Sequence, residues 1–134
     1  MKELSLNILD IAQNSVKAEA DRLRQEEKVD YIVYSIHDGH GSNSSGQGTI
    51  SQGALSGYYD VSLSNGYVDL VFEGHTHKNY VLEDQYGVYH LQNGGDNKGI
   101  SHVEIKINFV NGDTVVTEAE FVPTSRYSGL DDDP

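Results

Sequence analysis

The sequence predicts an α/β chain in which mixed β-sheets are flanked by helices, and three observations carry that expectation. Residues 3–27 repeat apolar side chains at intervals of three and four. Two short runs, 29–36 and 67–72, have the β-branched and aromatic make-up of buried strands. The last third of the chain reads as two successive hairpins.

Each element follows from its residues. Leu4, Ile8, Leu9, Ile11, Ala12, Val16, Ala20 and Leu23 lie on one helical face, while Glu19, Asp21, Arg22, Arg24, Glu26 and Glu27 solvate the other. Residues 29–36 form the first strand, and 39–53, rich in Gly and Ser with no apolar repeat, form a long loop. Leu55, Tyr58, Tyr59 and Leu63 set a short helix over 54–63 that stops before Asn65-Gly66. The run 67–72 is a second core strand, expected to be covered on both faces like the first. Residues 80–82 and 88–91 flank a turn at 84–87, and 100–110 and 114–122 flank Asn111-Gly112, a pair that accepts the positive φ of a tight turn. These later hairpins are expected to build the second sheet of a sandwich. The organisation expected is an N-terminal helix to residue 27, a body over 28–123 and an acidic, disordered tail over 124–134.

Composition narrows the function. A chain of 134 residues that is 37 % hydrophobic is large enough for one core but carries a net charge of -12. Nine Lys and Arg, scattered and outnumbered by acids, argue against nucleic-acid binding. Cysteine is absent, which removes disulfides, thiolate nucleophiles and thiolate metal sites together. With no membrane-length apolar run and no basic-then-apolar opening, the expectation is a soluble, cytoplasmic protein with no membrane partner.

Chemistry concentrates at the ends of the two core strands. The run 67–72 leads through Glu73 into Gly74, His75, Thr76 and His77, and the run 31–36 leads into His37, Asp38 and Gly39. Imidazole is a common ligand for zinc, iron and manganese, and the carboxyl ends of strands in an open α/β sheet are where such groups converge. His37, His75 and His77 are therefore the candidate metal ligands. His40, His90 and His102 read as surface or satisfied strand histidines.

The stretch Val68, Asp69, Leu70, Val71, Phe72, Glu73, Gly74, His75, Thr76, His77 resembles the last signature block of the calcineurin-like metallophosphoesterases, which include 5'-nucleotidases. The block 31–39 resembles the preceding histidine-bearing strand of that family, and Asn93 to Gly99 its glycine-rich turn before the closing strands. The resemblance spans about residues 21–130. It implies a partial metallophosphoesterase-type sandwich, a divalent ion (Mn, Zn or Fe) as cofactor, and a small phosphate ester or nucleotide as substrate. It also implies that His37 and His75 serve one ion of a two-metal site and His77 the other. The family's earlier blocks, with the Asp-x-His pair, the bridging aspartate and the histidine acting on the leaving group, have no counterpart here. Residues 1–20 offer Asp10, Glu3 and Glu19 and no histidine. The expectation is a truncated half, inactive alone, whose open sheet edge invites self-association.

The N-terminal residues point elsewhere. Residues 1–18 resemble the first helix of histidine-kinase-like ATP-binding domains, in which the residue matched by Asn14 holds magnesium and the ATP phosphates. Asp38, Gly39, His40, Gly41 gives a shifted form of the Asp-x-Gly-x-Gly turn that follows in those domains. An ATP-binding module and a non-enzymatic remnant are therefore the alternative functions.

Overall fold

The computed structural model describes residues 8–40, 49–50 and 59–129. Among the described residues one α-helix, α1 (Ile8–Gln25), precedes seven strands: β1 (Val33–Ser35), β2 (Thr49–Ile50), β3 (Leu70–Phe72), β4 (Asn79–Asp84), β5 (Tyr89–Asn93), β6 (Gly99–Ile107) and β7 (Thr114–Pro123). Two sheets result, one of five strands in the order β1-β3-β5-β4-β2 and one of two, β6-β7. The α/β class and the mixed sheets are as the sequence predicts. In the larger sheet β1, β3 and β5 run parallel, β4 is antiparallel to β5, and β2 is parallel to β4.

Helix α1 ends at Gln25, where Lys28 adopts a left-handed backbone (φ 57) and the Val29 amide turns back onto the Leu23 carbonyl at 3.2 Å. It buries Ala20 and packs Val16 and Leu23 against a core of Ile32, Tyr59, Leu63, Val68, Val71 and Val88. Ile11, expected on the inward face, is 49 % exposed, so the buried stripe is shorter than the apolar repeat. Arg24 fastens the helix to the sheet through Asp69 at 2.6 Å, and the same carboxylate accepts the Ile32 amide at 2.7 Å. Leu70 and Leu91 are buried outside that core and by alternation serve the opposite face. The hairpin β6-β7 lies against β4 and β5.

Five expectations need correction. The run 29–36 is a strand only over Val33–Ser35, and it is an edge strand with Val33 48 % exposed. Just before β1 the Ile32 amide turns to the Asp69 side chain at 2.7 Å, while the Ile32 carbonyl still accepts the Asp69 amide at 2.9 Å. The hairpin β4-β5 belongs to the first sheet, with β5 as its centre, so the second sheet is β6-β7 alone. Of the expected helix 54–63, residues 54–58 lie outside the described residues, and the rest is a 3-10 turn over Val61–Ser64, capped by the Asp60 side chain. The β6-β7 connection is a wider loop in which only Gly112 has positive φ (75), closed by Gly112 to Asn108 and Asn108 to Asp113 bonds. The segment 124–134 opens with a 3-10 turn, Thr124–Tyr127, its first amide bound to the Lys98 carbonyl at 3.0 Å.

Leu63, fully buried at the centre of the helix-facing core, is the sharpest probe of that packing. Leu63→Ala is expected to lower unfolding free energy by about 2–5 kcal/mol, read from urea melts. A loss below about 1 kcal/mol would place the stabilising core elsewhere.

Candidate metal centre

The parallel pairing of β1 with β3 brings the two histidine-bearing turns side by side. Val33, Tyr34 and Ser35 face Leu70, Val71 and Phe72 in register, and beyond the strands the Gly74 amide bonds the Asp38 carbonyl at 2.8 Å. The His37 and His75 rings consequently stand edge to face, centroids 5.4 Å apart and planes at 75°. Both are exposed at the carboxyl ends of their strands.

His77 takes a separate position. It is exposed, and its ring lies over Gly95, where a Cβ would come within 2.9 Å of the His77 Cγ. Gly95 (φ 72) thus leaves room for an imidazole that any side chain would displace. The turn 93–99 therefore does more than join two strands, because it supplies the floor under His77. His75 (φ 70) and His77 (φ 54) are both left-handed, a conformation costly for residues with a Cβ and concentrated at functional sites.

Behind the histidines lies a buried polar cluster that sequence reading missed. Glu73, the residue before Gly74, has a fully buried side chain. Its Oε1 meets His90 Nδ1 at 2.7 Å, its Oε2 meets His40 Nδ1 at 2.8 Å, and Oε2 also accepts the Tyr80 hydroxyl. His90 Nε2 meets Asp84 Oδ2 at 2.8 Å. With a carboxylate at each ring nitrogen, His90 satisfies both only as a double donor, the imidazolium. Burial alone would lower its pKa, but Asp84 and Glu73 raise it above the ordinary value. Burial would likewise raise Glu73, yet the His40 and His90 hydrogen bonds hold it down to about 2. Asp84 is also lowered, burial being outweighed by His90 and by the Ser64, Val88 and Tyr86 donors. Tyr80 is pushed up by burial and by the Glu73 charge, so its hydroxyl remains a proton donor.

A second set of bonds grips the turn itself. Gln92 donates to the Thr76 hydroxyl and to the Tyr80 hydroxyl, each at 2.8 Å, and accepts the Lys78 amide at 3.1 Å. Gly39 is pressed between these parts: a Cβ there would meet the Gly74 carbonyl oxygen at 2.3 Å and Gln92 Nε2 at 2.4 Å. Sequence reading treated His40 and His90 as surface or satisfied strand histidines. His90 is satisfied but wholly buried, whereas His40 is nearly buried with its Nε2 unpartnered among the described residues.

Of the remaining candidates, Asp38 alone belongs to the histidine turns among the described residues. Asn14 is exposed on α1, Asp38 is buried, and Gly41 lies outside the described residues. His102 sits on β6 with Glu118 and Glu120 of β7, their ligand atoms within 4.8 Å of one another. Glu120 there already faces two cationic or imidazole partners, His102 Nδ1 at 3.3 Å and Arg126 Nη1 at 3.7 Å. Among the described residues no helix is long and apolar enough to cross a membrane. Compared with known proteins, the chain matches no family model and no curated protein.

Proposed function

We propose that the chain is the metal-binding part of a metallophosphoesterase-like hydrolase of small phosphate esters or nucleotides, with His37 and His75 holding one divalent ion and His77 serving a second. The observation that carries the reading is the His37–His75 ring pair at the carboxyl ends of adjacent parallel strands. The donor set fits a zinc, manganese or iron ion: exposed imidazoles on short turns, two of them strained. A bound ion would act as Lewis acid toward a phosphoryl oxygen. His37 and His75 would hold that ion from two adjacent turns, while His77, two residues beyond His75 and seated over Gly95, would serve the second.

The same chemistry limits turnover. No carboxylate in the sequence occupies the place of the family's bridging aspartate, and three neutral imidazoles leave the charge of the ion uncompensated. The expected result is weak but saturable binding of zinc or manganese by calorimetry, abolished in the His75→Ala/His77→Ala double variant, with marginal hydrolysis of a chromogenic phosphodiester or AMP. Identical isotherms for wild type and double variant would overturn the metal reading. Robust turnover lost in His75→Ala would show that Asp38 or Asp96 supplies the missing carboxylate.

A further inference from the structure

We propose that Glu73, acting through His40, His90 and Tyr80, is a positioning residue that fixes the spacing between the turn carrying His37 and the turn carrying His75 and His77. The inference deepens the metal reading and rests on it for its functional meaning, but its geometry stands independently. Glu73 is anchored from the sheet, its amide bonded to the Leu91 carbonyl at 2.8 Å and its carboxylate to His90 of the same strand. From there Oε2 reaches His40, three residues beyond His37, while the Glu73 backbone runs directly into Gly74 and His75. One carboxylate therefore touches the first turn and is covalently continuous with the second.

Tyr80 closes the device. Its hydroxyl has one proton and two lone pairs, and all are used: it donates to Glu73 and accepts from the His40 amide at 3.0 Å and from Gln92 at 2.8 Å. Gln92 in turn holds the Thr76 hydroxyl and the Lys78 amide, the residues that flank His77. The two turns thus hang from neighbouring side chains of β4 and β5, the first by a charge-assisted bond to Glu73 and the second by the amide of Gln92. Among the described residues no bond of the cluster reaches the His37, His75 or His77 ring, so the grip acts on the turns that carry them; partners that fix ligand orientation elsewhere are worth about 10–100-fold in metal affinity. The cluster is too far inside to take substrate, and it leaves the exposed rings unencumbered.

Removal of Glu73 threatens folding, so the decisive variants are Tyr80→Phe and Thr76→Val, each of which removes one hydroxyl of the grip together with its hydrogen bonds. Two readouts apply to the full chain. In metal-free protein, nuclear Overhauser contacts between the His37 and His75 rings report their spacing. In zinc titrations, the dissociation constant reports the site. The expected result for chains that melt cooperatively is loss of the ring-to-ring contact in Tyr80→Phe and zinc affinity weakened about tenfold or more in both variants. Unchanged ring contacts and unchanged zinc affinity in Thr76→Val and in folded Tyr80→Phe would overturn the proposal. If Tyr80→Phe fails to fold, Thr76→Val decides alone, on affinity. A wild-type chain that shows the ring contact, loses it in Tyr80→Phe and binds no zinc would remove the metal reading and leave the positioning role standing.

Discussion

Replacing Glu73 by Ala is expected to cost about 3–5 kcal/mol of stability, the range seen when one partner of a buried ion pair is removed. The magnitude comes from what the substitution leaves behind. His90 would retain Asp84 on one side and face nothing on the other, while the His40 Nδ1 proton and the Tyr80 hydroxyl would lose their acceptor in a site without water access. Surface pairs such as Arg22 with Glu19 and Glu27 offer the control, since water and salt screen an exposed bridge. Native domains hold only about 5–15 kcal/mol in total, so Glu73→Ala removes a large part of the margin. Glu73→Gln, which keeps the shape and an acceptor, should fall between wild type and Glu73→Ala. Urea melts of the three proteins test this, and a Glu73→Ala loss no larger than that of Glu19→Ala would show that the cluster is not stabilising.

Stability should also peak in mildly acidic solution and fall on both sides. His90 faces Glu73 and Asp84 through its nitrogens and the Tyr59 and His40 rings through its edges and faces. Because its folded pKa is raised, its contribution is complete below the ordinary histidine value of about 6.5 and is lost as pH climbs through the raised value. Glu73 and Asp84 have lowered folded values, so their contributions are complete above the unfolded range of about 4–4.5 and are lost as pH falls, toward about 2 for Glu73. The three overlap between about pH 4.5 and 6.5, where the melting temperature should be highest. His90→Asn should flatten the alkaline limb specifically. A wild-type melting temperature that is level or rising from pH 6 to 9 would contradict the imidazolium.

The parts of the molecule legible in the sequence were those encoded by local pattern. The spacing of Val16, Ala20 and Leu23 marks α1, the run before Gly74 marks β3, and the alternation around Asn111-Gly112 marks the β6-β7 hairpin. The histidine turns were visible because a glycine and two imidazoles directly follow an apolar run. Sheet membership was not visible, since β5 takes β3 on one side and β4 on the other and periodicity says nothing about which edge a hairpin joins. The polar cluster was hidden for the same reason. Glu73 meets His90 across 17 residues of sequence and His40 across 33, and each looks solvated when read among its own neighbours. The reading around Asn14 rests on the resemblance of residues 1–18 and on the turn Asp38, Gly39, His40, Gly41, whose last residue lies outside the described residues.

The central place of β5 has a consequence for the order in which the chain acquires its shape. Its pairing with β4 is a local hairpin, of the kind that closes within about 1–10 μs. Its pairing with β3, and that of β3 with β1, must bring together segments separated by long stretches of chain, so these contacts bear the greater closure entropy and come late. The His37 and His75 rings meet only after β1 has docked, as the outermost strand on that side. Their encounter therefore waits on the strand pairing that spans the most chain among the described residues, and a ligand that bridges them would favour that closure.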